Sequence, residues 1–244
     1  PAFDFPLFVK PLREGTGMGI SAQSIVHNET ELRNQARWVI QTYQQPALLE
    51  SYLPGREFTV GLIGNTPVAG ESRSDGLFDC QGFHIFPVLE IDATLCNGQG
   101  LYNTMAKSYL PGEKGAPVYS CPADIPARLE HELTRLAVGA FEAVGALDVS
   151  RVDFRLGSDK QPYLIEINTL PGLNPVSSDL CIMARQEGMH YVDLINHVLN
   201  LAAARYGMRT RTYRSLTNKR EQTRYSFQRL PSMAMTPLRI GGAR

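Results

Sequence analysis

Two adjacent segments constrain the fold of this chain more than any others: SRVDFRL and PYLIEIN, joined by GSDKQ. Each alternates apolar and polar residues, as a strand with one buried face requires, and the short polar link between them predicts a hairpin. With Ser158–Gln161 as a four-residue turn, Asp153 lies opposite Glu166 and Arg151 opposite Asn168. Val152 then faces Ile167, and Phe154 faces Ile165. A slip of one residue would send every apolar group to the polar side, so this register is strongly specified. One face of the hairpin is therefore core. The other gathers two carboxylates, an amide and a guanidinium.

Two carboxylates and an amide oxygen form a hard-oxygen donor set. That suits Mg²⁺, which takes oxygen ligands at about 2.0–2.1 Å and shares them with phosphates. A softer metal would call for His or Cys, and the hairpin has neither. Arg151 cannot ligate a cation but can neutralise an oxyanion beside one. The alternative is a solvent-facing hairpin whose charges pair only with each other.

A second segment points the same way. FPLFVK, residues 5–10, predicts a short buried strand, and Lys10 at its end is followed by Pro11 and the run REGTGMGIS. Glycines at 15, 17 and 19 let backbone N–H groups come close to phosphate oxygens, and Lys10 adds a point charge. The spacing is not that of a P-loop, and no dinucleotide-binding βαβ unit follows. A phosphate grip and a Mg²⁺ site together point to ATP. In LLESYLPGREF, a strand runs into a turn where the Tyr52–Leu53 backbone could read an adenine edge. Glu50 could accept from the adenine amino group and Glu57 could hold ribose hydroxyls, although two surface glutamates beside a turn would look the same.

Elsewhere the pattern is helical over NETELRNQARWVIQTY, where Asn28 and Glu31 have capping-box spacing and Leu32, Ala36, Val39, Ile40 and Tyr43 share a face. A second helix begins near Pro126, with Leu129, Leu133, Leu136, Ala140, Phe141 and Val144 in period. A third covers MHYVDLINHVLNLAAARYG, with Leu194, Ile195, Val198 and Leu199 on one face and Gly207 as its stop. Residues 70–118 are rich in Gly and Pro and predict long loops.

Composition narrows the class. No apolar run approaches the roughly 20 residues that span a bilayer, and no charged leader precedes an apolar stretch. A chain that begins at Pro1 leaves room for upstream sequence. Four scattered cysteines without CxxC spacing argue against a zinc site or a disulfide framework and for a reducing, cytoplasmic setting. Formal charge is zero overall but uneven. Residues 205–244 hold ten Lys/Arg and one acid, leaving 14 bases and 23 acids in the preceding 204, a net of −9. The basic stretch reads as a solvated tail rather than a nucleic-acid-binding arm.

Taken in order, VKPLREGTGMGIS, LLESYLPGREFTVGLIG, MAKSYL, SRVDF, YLIEINTLPGLNP and MARQEGMHYVDLI resemble the D-alanine–D-alanine ligase family of the ATP-grasp superfamily, over residues 6 to 206. The resemblance implies an α/β (α+β) ATP-grasp fold: mostly antiparallel sheets with flanking helices and the nucleotide held between two subdomains. The expected division is a partial central subdomain over 1–57 with the phosphate loop, a C-terminal subdomain over 58–206 with a mobile loop and the metal hairpin, and a basic tail over 207–244. It implies an ATP-dependent ligation of two D-alanines through an acyl phosphate, for cell-wall (peptidoglycan) precursors. Two Mg²⁺ ions, or Mn²⁺, would sit on Asp153, Glu166 and Asn168. Lys10 and Lys107 match phosphate-contacting lysines, the latter on the mobile loop. Glu14, Gly15 and Gly17 belong to the matching phosphate loop, and Glu50, Tyr52, Leu53 and Glu57 to the nucleotide contacts. Arg151 and the Gly172 backbone match the oxyanion-stabilising groups, and Thr16 a loop serine near the first substrate. Ser177 or Ser178 would meet the carboxylate of the second amino acid.

The chain departs from the family pattern in several places. It begins almost at the ATP-grasp core, so the resemblance implies that a homodimer or another partner, or sequence outside this chain, supplies the part that helps to bind the first substrate; the alternatives are a truncated or non-catalytic ATP-binding module, or an ATP-grasp ligase for a different carboxylate and amine. Residues 70–90 look inserted, and TGMG stands where the family often has two serines. Leu173-Asn174-Pro175 includes one extra residue, and the basic tail falls outside the pattern.

Overall fold

The structure is a computed structural model that describes residues 4–67, 76–94, 96, 101 and 113–208. Three strands, β1 (Leu7–Pro11), β2 (Ile25–Val26) and β3 (Ala47–Ser51), form an antiparallel sheet in the order β2-β1-β3. Strict alternation in β1 buries Leu7 and Val9 against Val39 of helix α1 (Glu29–Tyr43) and leaves Phe8 and Lys10 on the opposite face. The Asn28 side chain caps α1 by accepting from the Glu31 N–H, as the spacing predicts. The Glu31 carboxylate accepts from the His27 N–H at 2.8 Å instead of closing the box on Asn28. That bond holds the Glu31 carboxyl below its ordinary range. Ile40, expected on the buried face, is exposed, and Gln35 is buried in its place.

The larger sheet is centred on β4 (Glu57–Gly64). On one side lies β8 (Asp148–Leu156), followed by β9 (Pro162–Asn168). On the other lie β5 (Phe83–Ile85) and β6 (Leu89–Asp92), and β6 continues to β7 (Val118–Ser120). Every pairing is antiparallel. Helix α2 (Ala127–Ala143) covers one face, packing Leu133, Ala137 and Phe141 on Phe58, Val60, Leu62, Val152 and Phe154. Val144, expected on that helix face, lies just past the helix end and is exposed.

Helices α3 (Asp179–Gln186) and α4 (Tyr191–Arg205) cover part of the opposite face, where Leu180, Met183 and Leu194 meet Ile63 and Val149. Gly61 makes this approach possible: a Cβ there would stand 2.5 Å from Leu180 Cδ1 and 2.8 Å from Met183 Cε. The period predicted for α4 holds at Leu194 but fails at Leu199, which is exposed while Leu201 and Ala203 are buried. Helix α3 was not anticipated as an element of its own. These helices leave Glu57, Asp153 and Arg155, on β4 and β8, facing the uncovered part of the sheet, with Thr59, the register partner of Asp153, fully buried between them.

The hairpin register is confirmed at three of its pairs, Asp153↔Glu166, Val152↔Ile167 and Arg151↔Asn168. The fourth expected pair is corrected: Phe154 lies opposite Leu164, and Ile165 is the extra residue of a bulge. The connection uses five residues, 157–161, closed by Gly157 N–H to Gln161 C=O at 2.9 Å, with Lys160 in the left-handed region at φ 61°. An odd-length loop would shift the register by one, and the bulge absorbs that shift. Ile165 is consequently not in the core; it is 40% exposed. Among the described residues, no helix is long and apolar enough to cross a membrane, and Cys80, Cys96, Cys121 and Cys181 are all unpaired.

Candidate functional site

A cavity of about 560 Å³ opens between the polar face of the small sheet and the uncovered part of the large one. Lys10 reaches it from the end of β1, and Glu14, Gly15, Thr16 and Gly17 from the glycine-rich loop. Glu50, Tyr52 and Leu53 line it from the end of β3 and the segment after it, and Glu57 from the start of β4. Asp153 and Glu166 close the far wall. The predicted nucleotide-side residues are thus brought together with two of the three predicted metal ligands. Arg151, Asn168, Gly172, Ser177 and Ser178 do not line the cavity, and Lys107 lies outside the described residues.

The loop is built to expose backbone. Thr16, Gly17 and Gly19 have φ of 59°, 74° and 79°. For threonine this is a costly conformation, of the kind held at ligand clamps. Two tight turns fix it, Met18 N–H to Gly15 C=O and Ile20 N–H to Gly17 C=O. Gln45 ties the loop to the rest of the sheet, donating to the Glu14 carboxylate at 2.7 Å and accepting from the Arg13 N–H at 2.6 Å.

Charge inside the cavity is paired. Lys10 Nζ lies 2.5 Å from Glu50, because Lys10 and Glu50 sit diagonally on one face of the β1–β3 pair. Arg155 approaches Glu57 at 3.4 Å, donates to the Gly55 carbonyl at 3.1 Å and lies over the Tyr52 ring at 5.8 Å. Tyr52 in turn stacks with Phe8, with centroids 6.4 Å apart and planes 19° apart. Met18, Ile20, Leu53, Leu164 and Ile165 join Phe8 and Tyr52 as the apolar and aromatic part of the lining, and Lys10, Asp153 and Glu166 are among its charged groups. The tip of the hairpin adds Asp159 and Tyr163 to the wall. Tyr163 Oη donates to Asp159 at 2.9 Å, raising the phenol above its ordinary range. The Gln161 N–H and then that phenol lower the Asp159 carboxyl.

The expected cation ligands converge. Asn168 Nδ2 is 3.3 Å from Asp153 Oδ2 and 3.2 Å from Glu166 Oε1. This amide orientation satisfies the carboxylates by itself, and turning it over would present oxygen to the same point. The donor set of two carboxylates and one amide fits a hard cation that takes its remaining ligands from water or phosphate. Among the described residues no group of three His, Cys, Asp or Glu gathers at one point, so Asn168 is needed to complete the set. Asp153 is further held by the Thr59 hydroxyl at 2.6 Å and by a two-pronged contact from Arg151, Nε and Nη2 at 2.9 Å each. Arg151 also reaches Asp179 at 3.0 Å.

After Gly172 the chain folds on itself. Ser178 Oγ accepts from the Asn174 N–H at 2.8 Å, Asn174 Oδ1 accepts from the Val176 and Ser177 N–H groups, and Arg185 donates to the Pro175 carbonyl. A Cβ on Gly172 would stand 2.8 Å from Ser178 Oγ, so the serine hydroxyl and the Gly172 backbone are neighbours. Sequence reasoning missed Thr59, Arg155, Ile165 and Asp179. Arg155 was findable, since it shares a strand face with Asp153. Thr59 and Asp179 come from other elements and depend on tertiary pairing.

The D-ala D-ala ligase C-terminus family matches residues 1–200. The chain is 33% identical over 201 residues to the D-alanine–D-alanine ligase of Bordetella petrii, covering 82% of this chain and 53% of that protein. It is 32% identical over 202 residues to the uncharacterized protein y4sG of Sinorhizobium fredii, covering 83% and 53%. It therefore spans about half the length of these curated relatives. Among solved structures, the D-alanine–D-alanine ligase of Bacillus anthracis complexed with ATP superposes with a TM-score of 0.57 at 21% identity, over 83% of this chain and 54% of that one. The Coxiella burnetii ligase does so with 0.59 at 21%, over 83% and 46%. The two antiparallel sheets, their helices and the cleft between them are the ATP-grasp arrangement, and the chain belongs to the D-ala D-ala ligase C-terminus family.

Proposed function

We propose that this chain carries the ATP site of an ATP-dependent carboxylate–amine ligase that joins two D-alanines for peptidoglycan precursors in the cytoplasm. The observation that carries the reading is the convergence of Lys10, the glycine-rich loop, Asp153 and Glu166 on one cavity that Phe8, Tyr52 and several apolar side chains also line. A nucleotide calls for that mixture, with aromatic and apolar surface for its base and charged groups for its phosphates. The reading is supported by the ATP-complexed Bacillus anthracis relative. The boundaries at 57 and 206 are proposed with it.

In this reading the base lies along Tyr52 and Leu53, with Glu50 and Glu57 on its amino group and ribose. Lys10, the loop N–H groups around Glu14, Gly15 and Gly17, and Lys107 hold phosphates. Asp153, Glu166 and Asn168 would hold Mg²⁺ or Mn²⁺, which supplies charge neutralisation at the phosphates. The γ-phosphoryl passes to the carboxylate of the first amino acid, leaving ADP. The amine of the second then attacks that carbonyl, phosphate leaves, the amide forms and the amine gives up a proton. Such a transfer needs placement and electrostatics more than covalent help from the protein. Arg151 and the Gly172 N–H stabilise the oxyanion as it forms. Thr16 sits near the first amino acid, and Ser177 or Ser178 meets the carboxylate of the second.

A different carboxylate and amine are the second reading, favoured by the extra residue in Leu173-Asn174-Pro175 and the self-bonded turn it makes. Phosphate release measured with MgATP and a panel of D-amino acids, on a full-length protein that also carries the part helping to bind the first substrate, separates the two. Release that requires D-alanine is expected. Release with another amino acid alone supports the second reading, and release with none contradicts the ligase.

A further inference from the structure

The oxygens of Asp153 are fully engaged without any cation. Oδ1 takes the Thr59 hydroxyl at 2.6 Å and Arg151 Nε at 2.9 Å. Oδ2 takes Arg151 Nη2 at 2.9 Å and the Asn168 amide at 3.3 Å. A carboxylate offers about four lone-pair positions, so a cation that binds Asp153 must displace a donor already there. The donor with most to lose is Arg151, because its positive charge is repelled by the incoming cation while the Thr59 hydroxyl is neutral and the Asn168 amide can turn over.

Arg151 has a second anchor. Its Nη1 lies 3.0 Å from Asp179 Oδ2, and both side chains are almost wholly enclosed, at 13% and 6% exposure. Asp179 is not part of the hairpin. It is the first residue of α3, held down where Leu180 and Met183 pack over Gly61, the register partner of Arg151. The arginine is thus shared between a carboxylate that belongs to the cation site and one that does not.

We infer that Asp179 is a positioning residue for Arg151. It retains the guanidinium beside the reacting centre while Asp153 releases it to a cation. Without the pull of the Asp179 charge, Arg151 is held more strongly by Asp153 and opposes cation entry. The inference rests on the proposed Mg²⁺·ATP site. It needs no turnover to be tested, because its first consequence is on cation affinity.

The test measures Mn²⁺ binding by electron paramagnetic resonance on the full chain, in the presence of the β,γ-imido analogue of ATP. Four proteins are compared: wild type, Asp179→Asn, Arg151→Met and the double variant. Asp179→Asn should weaken Mn²⁺ by roughly tenfold, in the range of one coupled pair. In the Arg151→Met background the same change should have almost no effect, which loss of packing could not produce. Wild-type affinity in Asp179→Asn, or an equal loss with Arg151 absent, overturns the inference. Absence of Mn²⁺ binding by wild type overturns the proposed cation site itself, and this inference with it.

Discussion

Gly15 and Gly19 lie four residues apart in one loop and are glycines for different reasons. Gly19 is demanded by the fold: its φ is +79°, and a Cβ would stand 2.6 Å from Pro11 Cγ. Gly15 has no such φ, and a Cβ there would meet nothing within 4 Å, although the residue faces the cavity. Gly19→Ala should therefore destabilise by more than about 1 kcal/mol. Gly15→Ala should leave the denaturation midpoint in place and weaken nucleotide binding. Urea titration and calorimetric ATP titration of both variants check this, and equal effects on stability would contradict it. At this scale the sequence revealed residues whose chemistry is out of keeping with their strand, such as Asp153 and Glu166. It did not reveal Asp179, whose role depends on a contact with another element.

The hairpin shows how far an element can be read and where reading stops. Alternation alone gave the three pairs that build the polar patch. It could not give the bulge, because loop length and bulge trade against each other: four loop residues without a bulge and five with one both place Glu166 opposite Asp153. The difference falls on Ile165, which moves from the expected core to the cavity wall. At the hairpin tip, the Tyr163 phenol raises itself and lowers Asp159 through one hydrogen bond. A depressed carboxyl contributes stability above its unfolded pKa and loses it as pH falls through the folded value. Tyr163→Phe should move the Asp159 titration part of the way back up, since the Gln161 N–H remains, and ¹³C carboxyl NMR would show it. On the other face, Phe141→Ala removes a ring that is 2% exposed and packs edge-on to Phe83 at 5.2 Å. A cost of about 3–5 kcal/mol in denaturant unfolding is expected.

At the scale of the whole molecule, the order of six short motifs was enough to expect the family and its two-sheet architecture, and four of them contribute residues to the walls of one cavity. Three features stayed hidden. Helix α3 is short and obscured by the turn after Gly172; Ile40 and Leu199 obey helical period but are exposed among the described residues; and β5 and β6 share one edge of β4, which no local pattern predicts. Lys10 from one sheet and Asp153, Glu166 and Asn168 from the other are proposed to act on one Mg²⁺·ATP. Isothermal titration of ATP with and without Mg²⁺, on wild type and Glu166→Gln, measures this. Wild type should bind ATP in a Mg²⁺-dependent way and Glu166→Gln should lose more than about tenfold of that affinity, with circular dichroism unchanged. Mg²⁺-dependent affinity that is the same in both proteins would contradict it.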